Sequence, residues 1–248
     1  MSELYQIEEY IRRRDHTDYI MPLWLPFLPL LLIIGSTFWL IIIMDFYERH
    51  EYYNHRYLMD VYTDVVELYL LVIIIIALIG VIINVYVVYK WVWRRNEHFK
   101  RQKLLFNAIK EFLRKKGFDV GKLELICMEI DVEENEKNPV LWALVQFIPY
   151  VGSILLIYVY HFLNKDFYRH EVRENNYLSA LSEILSDFYY VRYNNIPDRS
   201  TILYFVLSLV TFGIFGLYWV YTLTKDPNNH FLEHKRWEDF LLNTLKRI

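Results

Sequence analysis

One cysteine, Cys127, in 248 residues excludes an intramolecular disulfide and argues against a thiolate cage for a metal. Seven glycines leave no material for a phosphate-cradling loop, and neither HExxH nor GxSxG occurs. No catalytic set is legible, so the chain is expected not to be an enzyme. A strong charge of either sign is missing too, the formal net charge being −3, and no nucleic-acid partner is expected.

Charge is also missing locally. Residues 20–44, 68–89, 139–164 and 200–224 contain no Asp, Glu, Lys or Arg. Each run exceeds about 20 residues, enough for a helix to cross a hydrocarbon core of about 30 Å. Composition is 55% hydrophobic and still 23% charged, so the charges must be segregated into loops and tails. The expected fold is all-α and integral to a membrane: four transmembrane helices in two related hairpins, with helical extensions on both faces. Residues 1–19 form a cytoplasmic amphipathic segment and 20–116 a first hairpin with its tails. A short helical connector fills 117–138, and 139–248 form a second hairpin.

The four runs align on a histidine that follows each of them, His50, His98, His170 and His230. Twelve positions earlier stand Phe38, Tyr86, Tyr158 and Tyr218, followed by Trp39 and Trp219 in the first and fourth copies. Asp45, Asp166 and Asp226 precede their histidines by four or five residues, and Arg94 takes that place in the second copy. DFYERHE in the first copy matches DFYRHE in the third, which predicts an internal repeat of a two-span unit.

The run TFGIFGLYW from Thr211 to Trp219, continued by TKDPNNHFLEHKRWEDFL, resembles the uncharacterised prokaryotic membrane family called domain of unknown function 4234. The likeness is best over residues 200–241. It implies a membrane topology and brings no activity with it.

Lys and Arg set the expected orientation. Twenty of the 27 lie before the first span, between the second and third, or after the fourth. Both termini are therefore expected in the cytoplasm of a multi-pass cell-membrane protein. Trp24, Trp91, Trp93, Trp142 and Trp219 would form an anchor belt toward that side. Leu4, Ile7 and Ile11 have helical spacing ahead of Arg12 to Arg14, which reads as a helix on the inner membrane surface or as a plain topology signal. Pro26 and Pro29 should kink or delay the first span. Asp64 and Glu67 are spaced as a capping box for the second span, and Asn138 with Pro139 should start the third.

Apolar stripes continue past every span: Tyr53, Tyr57, Leu58 and Val61 after the first, Phe99, Leu104, Phe106, Ile109 and Leu113 after the second, and Tyr177, Leu181, Ile184, Leu185 and Phe188 after the third. Val120, Leu123, Ile126 and Ile130 should pack back on the second stripe. Tails one and three are expected to pair outside, and tails two and four inside. Aromatics Tyr52, Tyr53, Tyr57, Tyr189, Tyr190 and Tyr193 would then lie outside, as packing or as a surface for a partner or glycan.

Asn84 and Gln146 are polar residues within spans, at depths where they could hydrogen-bond as helix glue or line a pathway. The histidines are the sharpest candidates. His230 and His234, one turn apart, share a helix face and could chelate with His98 as a third ligand. His98 and His230 would sit inside, with His50 and His170 outside. That layout suits two bis-His haems or two metal sites, although no carboxylate of fixed position completes a zinc site. Lacking a committed ligand set, the first reading is a non-enzymatic membrane module without a cofactor, organising or sensing in membrane lipid through self-association or another membrane protein. The alternatives are a small oligomeric transporter or channel, and a bis-His haem or metal-binding membrane protein.

Overall fold

The computed structural model describes residues 3–49 and 55–248, which contain no strand. Nine α-helices follow one another among them: α1 (Glu3–Arg12), α2 (Arg14–Thr17), α3 (Leu28–Arg49), α4 (His55–Lys115), α5 (Gly121–Glu133), α6 (Pro139–Leu144), α7 (Gly152–Ile184), α8 (Thr201–Val210) and α9 (Ile214–Leu245). Short 3-10 turns occupy Leu25–Phe27 and Val145–Phe147. Trp24–Val87 form one compact unit, and Met1–Leu23 with Val88–Ile248 form the other, the boundary falling within α4. His50, Tyr52 and Tyr53 lie outside the described residues, as do the side chains of Tyr57, Leu58, Val61 and Asp64.

In the first unit, two stretches are long and apolar enough to cross a membrane, Leu25–Phe46 and the helix Val65–Lys115 that runs on into the second unit. Pro26 and Pro29 stand in first turns, where a missing N–H costs nothing, so they delay the helix without kinking its interior. α4 begins at His55. Asp64 and Glu67 therefore do not start a helix; they lie inside one. Phe38 and Trp39 are exposed apolar residues of α3. Asn84 is exposed on α4.

The third and fourth charge-free runs depart from expectation, for each is a helical hairpin and not one continuous helix. Asn138 caps α6 as its sequence predicts, its Oδ1 accepting from the N–H groups of Val140 and Leu141 at 3.0 Å, with Pro139 at the first helical position. The helix then fails at Ile148, whose extended backbone (ψ 116°) is the conformation a following proline favours. Pro149 has no N–H to leave unpaired, and Tyr150 turns the chain at φ 63°. α7 starts against this turn: a Cβ on Gly152 would stand 2.6 Å from the Gln146 carbonyl oxygen. Gly152→Ala must push two backbone segments apart, and a loss of about 2 kcal/mol or more is expected. Thermal melts of the purified variant check it; an unchanged melting temperature would mean that the turn does not close this tightly.

Ser200 caps α8, its Oγ accepting from Leu203 N–H at 3.3 Å. The T-F-G run ends that helix. Thr211 Oγ1 donates to Leu207 O at 2.7 Å and accepts from Phe215 N–H at 2.9 Å, while Gly213 N–H reaches Ser208 O at 2.7 Å. Phe212 (φ 50°) and Gly213 (φ 90°) take the left-handed conformations of the turn, which glycine adopts without strain. The arm formed by α8 is 10 residues, about 15 Å, or half the thickness of a hydrocarbon core. Close approach continues down the hairpin, where Gly216 faces Ser208 and Tyr204 meets Trp219 edge to face at 5.6 Å.

Below the hairpins the same unit has a conventional apolar core. Ile7 and Ile11 of α1, Leu105, Ile109 and Leu113 of α4, Leu123 and Cys127 of α5, Tyr177 and Leu181 of α7, and Trp237 and Leu241 of α9 pack together. The α5 stripe folds back onto the α4 stripe as expected. The α1 face does not lie on a membrane surface, because Ile7 and Ile11 are buried in this core. Tail three, in α7, joins the tails of α4 and α9; the residues of tail one lie largely outside the described ones. Tyr190 and Tyr193 pack against this core, and Tyr190 donates to Asn175 Oδ1 at 2.6 Å, which is the packing alternative.

Pro227 lies inside α9 and cannot donate to Leu223 O, four residues back. Arg94 Nη2 donates to that carbonyl instead at 2.8 Å, and Nη1 to Asn228 Oδ1 at 2.8 Å. Asn228 in turn donates to Met21 O and accepts from Met21 N–H. A helix defect, a buried arginine and the N-terminal segment are thereby fastened together.

Candidate metal centre

α4, α7 and α9 share one plan. Followed from their apolar ends toward the apolar core of this unit, each buries a polar layer before its stripe turns apolar again. The buried residues are Arg94, His98, Arg101 and Gln102 before Leu105 on α4, His170, Glu171 and Glu174 before Tyr177 on α7, and His230, His234 and Glu238 before Leu241 on α9. Spacings of three and four keep them on the face that carries the core.

The layer closes on a single point. One ring nitrogen from each of His98, His170, His230 and His234 lies within 4.8 Å of the other three. All four histidines are buried, at most 1% exposed. His230 Nε2 stands 3.2 Å from His98 Nε2 and 3.1 Å from His234 Nε2. Glu174, fully buried, places Oε1 2.8 Å from His234 Nε2, and Oε2 3.4 Å from His230 Nε2 and 3.9 Å from His170 Nε2. Phe99 stacks on His170 at 4.1 Å, and Phe231 covers His98 at 4.6 Å.

Each ring turns its other nitrogen toward a carboxylate. His98 Nδ1 meets Asp18 at 2.9 Å, His170 Nδ1 meets Glu134 at 2.9 Å, and His234 Nδ1 meets Glu238 at 3.3 Å. His230 Nδ1 is 3.5 Å from Glu171, whose oxygens accept from the N–H groups of Asn195 and Ile196. These carboxylates are themselves held: Arg101 bridges Asp18 (2.8 Å) and Glu238 (2.6 Å), and Arg173 bonds Glu134 at 3.0 Å. Metal-ligating histidines are held in the same way, one nitrogen fixed by a carboxylate and the other turned to the common point.

Burial alone would raise the pKa of Asp18, but His98 and Arg101 beside it outweigh that and hold it well below the usual range. For Glu174 burial is likewise overcome, by His234 and His230, and the carboxylate stays ionised. His230 is pushed down by burial and by His234. His234 is driven the other way: burial opposes its charge, yet Glu174 and Glu238 bring it up to about 9.

Proton assignment exposes the problem that this geometry poses. An Nδ1 facing a carboxylate at 2.9 Å must carry hydrogen, which leaves Nε2 of a neutral ring as a bare lone pair. The lone pairs of His98 and His170 then face the Nε2 atoms of His230 and His234 and the Glu174 carboxylate, while His234 Nδ1 lies 3.3 Å from Glu238 and 2.9 Å from the Gln102 amide. His230 can donate to one neighbour only. A proton or a metal cation has to fill the middle, and His234 is the ring placed to carry that proton when no ion does.

Of the expected ligands, His98, His230 and His234 come together, and His170, expected on the opposite side, joins them because α7 follows a hairpin and not a full span. His50 lies outside the described residues. Asp166 and Asp226 are not ligands; they pair with Arg95 and Arg199, and Asp45 pairs with Arg49. Tyr158 and Tyr218 are exposed aromatics on the hairpins, as Tyr86 is on α4, while Trp219 is buried between Tyr160 and Tyr204. Gln146 spends its amide on Ala143 O at 2.7 Å; Asn84 belongs to the other unit.

Sequence reasoning missed Glu174, Glu134, Glu171, Glu238, Asp18 and Arg101. Two signals were present. His170 and Glu174 are four apart, and so are His230, His234 and Glu238, each set in line with the apolar stripe that follows. Asp18 and Glu134 carry no such local signal, since they reach the centre only through the packing of α1, α2 and α5.

A family described as Domain of unknown function (DUF4234) matches residues 199–237. That stretch holds α8, its turn and the part of α9 that carries His230 and His234. No curated protein and no solved structure matches the chain.

Proposed function

We propose that this chain is a metal-binding integral membrane protein in which α4, α7 and α9 hold one divalent transition-metal ion against the cytoplasmic face of the bilayer. The observation that carries the reading is the convergence of four fully buried imidazoles and a carboxylate on one point, each ring backed by its own carboxylate. Electrostatics support it. Asp18, Glu134 and Glu238 are paired with the guanidinium groups of Arg101, Arg173 and Arg14, whereas among the described residues Glu171 and Glu174 form ion pairs with histidines alone, two negative charges that a divalent cation balances. Among the readings open at the level of sequence, the geometry favours a metal ion over haem, because nitrogens 3.1 and 3.2 Å apart leave no room for a porphyrin between them. Elemental analysis of protein isolated from its membrane should find about one transition-metal ion per chain, and His230→Ala should lose it with helicity unchanged. Metal-free wild type that stays metal-free on titration with Fe(II), Zn(II), Mn(II) and Co(II) would end the reading.

For the membrane, we propose that α3 and the apolar part of α4 cross it, and that α6–α7 and α8–α9 enter from the cytoplasmic side and return. The tips suit lipid: Tyr150 and Phe212 are 99% and 97% exposed, and the N–H groups of Val151, Gly152, Phe212 and Gly213 bond within their own hairpins. Only Arg49 and Arg56 of the 27 Lys and Arg then fall on the far side, a sharper bias than four full spans give. Cysteines at Arg49 and Tyr189 discriminate, because the buried Cys127 contributes little background. An impermeant maleimide on intact cells should label Arg49→Cys and spare Tyr189→Cys; labelling of both would restore the four-span topology.

A further inference from the structure

We propose that the ion takes five or six ligands, with Glu174 bound to it beside the four histidines, so that the site selects an ion of the Fe(II) or Mn(II) type over tetrahedral zinc. This rests on the metal-binding reading above. The first argument is what happens to Glu174 when the histidines bind. Without an ion, its Oε1 is held by His234 Nε2 at 2.8 Å, and the Gln102 amide at 3.5 Å adds little. An ion on His234 removes the N–H that made this bond. Oε2 already lacks a hydrogen-bond partner. Tyr193, whose buried hydroxyl stands beside Glu174, can donate to one oxygen at most. A fully buried carboxylate left with one neutral donor is costly. Coordination removes that cost.

The second argument is spacing. Four nitrogens about 2.1 Å from an ion stand about 3.4 Å apart in a tetrahedron, whereas in an octahedron neighbours are about 3.0 Å and opposite ligands about 4.2 Å apart. His230 Nε2 stands 3.2 Å from His98 Nε2 and 3.1 Å from His234 Nε2, and Glu174 Oε1 stands 2.8 Å from His234, while Glu174 Oε2 is 3.4 Å from His230 and 3.9 Å from His170. The three close pairs are tighter than a tetrahedron sets, which suits more than four ligands. Four imidazoles with one carboxylate also make a mixed nitrogen and oxygen set, harder than the thiolate-rich sites of Cu(I).

The test is X-ray absorption at the metal edge of the protein as isolated, with Co(II)-substituted protein measured by optical absorption. Five or six nitrogen and oxygen neighbours are expected, with the weak d–d bands of five- or six-coordinate Co(II). Glu174→Ala should bind the same ion at least tenfold more weakly, and in the loaded variant the bands should change. Glu174→Asp should recover part of the affinity, which a merely structural carboxylate would not require. Four neighbours and intense tetrahedral Co(II) bands, unaltered by Glu174→Ala, would overturn the inference and leave the metal centre standing. No metal in either preparation would overturn both.

Discussion

Stripping the ion with a chelator is expected to lower the melting temperature of the detergent-solubilised protein by roughly 10 °C. An ion present at a thousand times its dissociation constant adds about 4 kcal/mol to the folded state, and at this size each kcal/mol shifts the midpoint by about 2 to 4 °C. The shift comes from the folded state alone, because the five donors are brought together by three separate helices and are scattered in the unfolded chain. His98, His170, His230 and His234 are buried with their nitrogens facing inward. Without the ion a single proton has to serve where a divalent charge did. Scanning fluorimetry with and without chelator measures the difference, adding metal back should restore it, and His230→Ala should melt at one temperature under both conditions. A wild-type midpoint indifferent to chelator contradicts the assignment.

Arg101→Leu is expected to cost about 3 to 5 kcal/mol, the penalty for stranding buried charge. Arg101 is 2% exposed and joins Asp18 to Glu238, both of which hold histidines of the centre. Losing the guanidinium leaves two buried carboxylates facing leucine. Arg14, 3.6 Å from Glu238 and shared with Asp239, compensates only in part. Arg101→Lys should fall between, since one ammonium cannot bridge two carboxylates as a planar fork does. The double variant Arg101→Leu with Glu238→Leu should recover part of the loss, which a cycle of melting temperatures reports. A shift of under about 2 °C in the single variant would mean that these carboxylates do not depend on Arg101.

The difference between four spans and two spans with two hairpins turns on a few residues. A hydropathy run ignores backbone conformation, so residues 139–164 and 200–224 read as spans. Ile148–Pro149 was visible as a helix stop, and Thr211 with Gly213 marks the second turn, yet neither breaks the apolar run. The expectation for tail three followed from the uninterrupted span. A full span would part it from tails two and four, while the turn between α6 and α7 brings it beside them, and His170 with it. The meeting of His98, His230 and His234 was legible because those residues share a helical period with the apolar stripe below them. Glu174 was not, since an acidic residue on an amphipathic tail reads as a solvated face until the facing helix is known. Arg94 shows the same limit: its role depends on a carbonyl released by Pro227, 133 positions along the chain.

The most direct measurement is anomalous scattering from crystals of the isolated protein, recorded on both sides of the metal's absorption edge. One peak is predicted, enclosed by the Nε2 atoms of His98, His170, His230 and His234 and by the carboxylate of Glu174. A peak elsewhere, or none in crystals grown with the ion present, would contradict the claim that these three helices are organised around a metal.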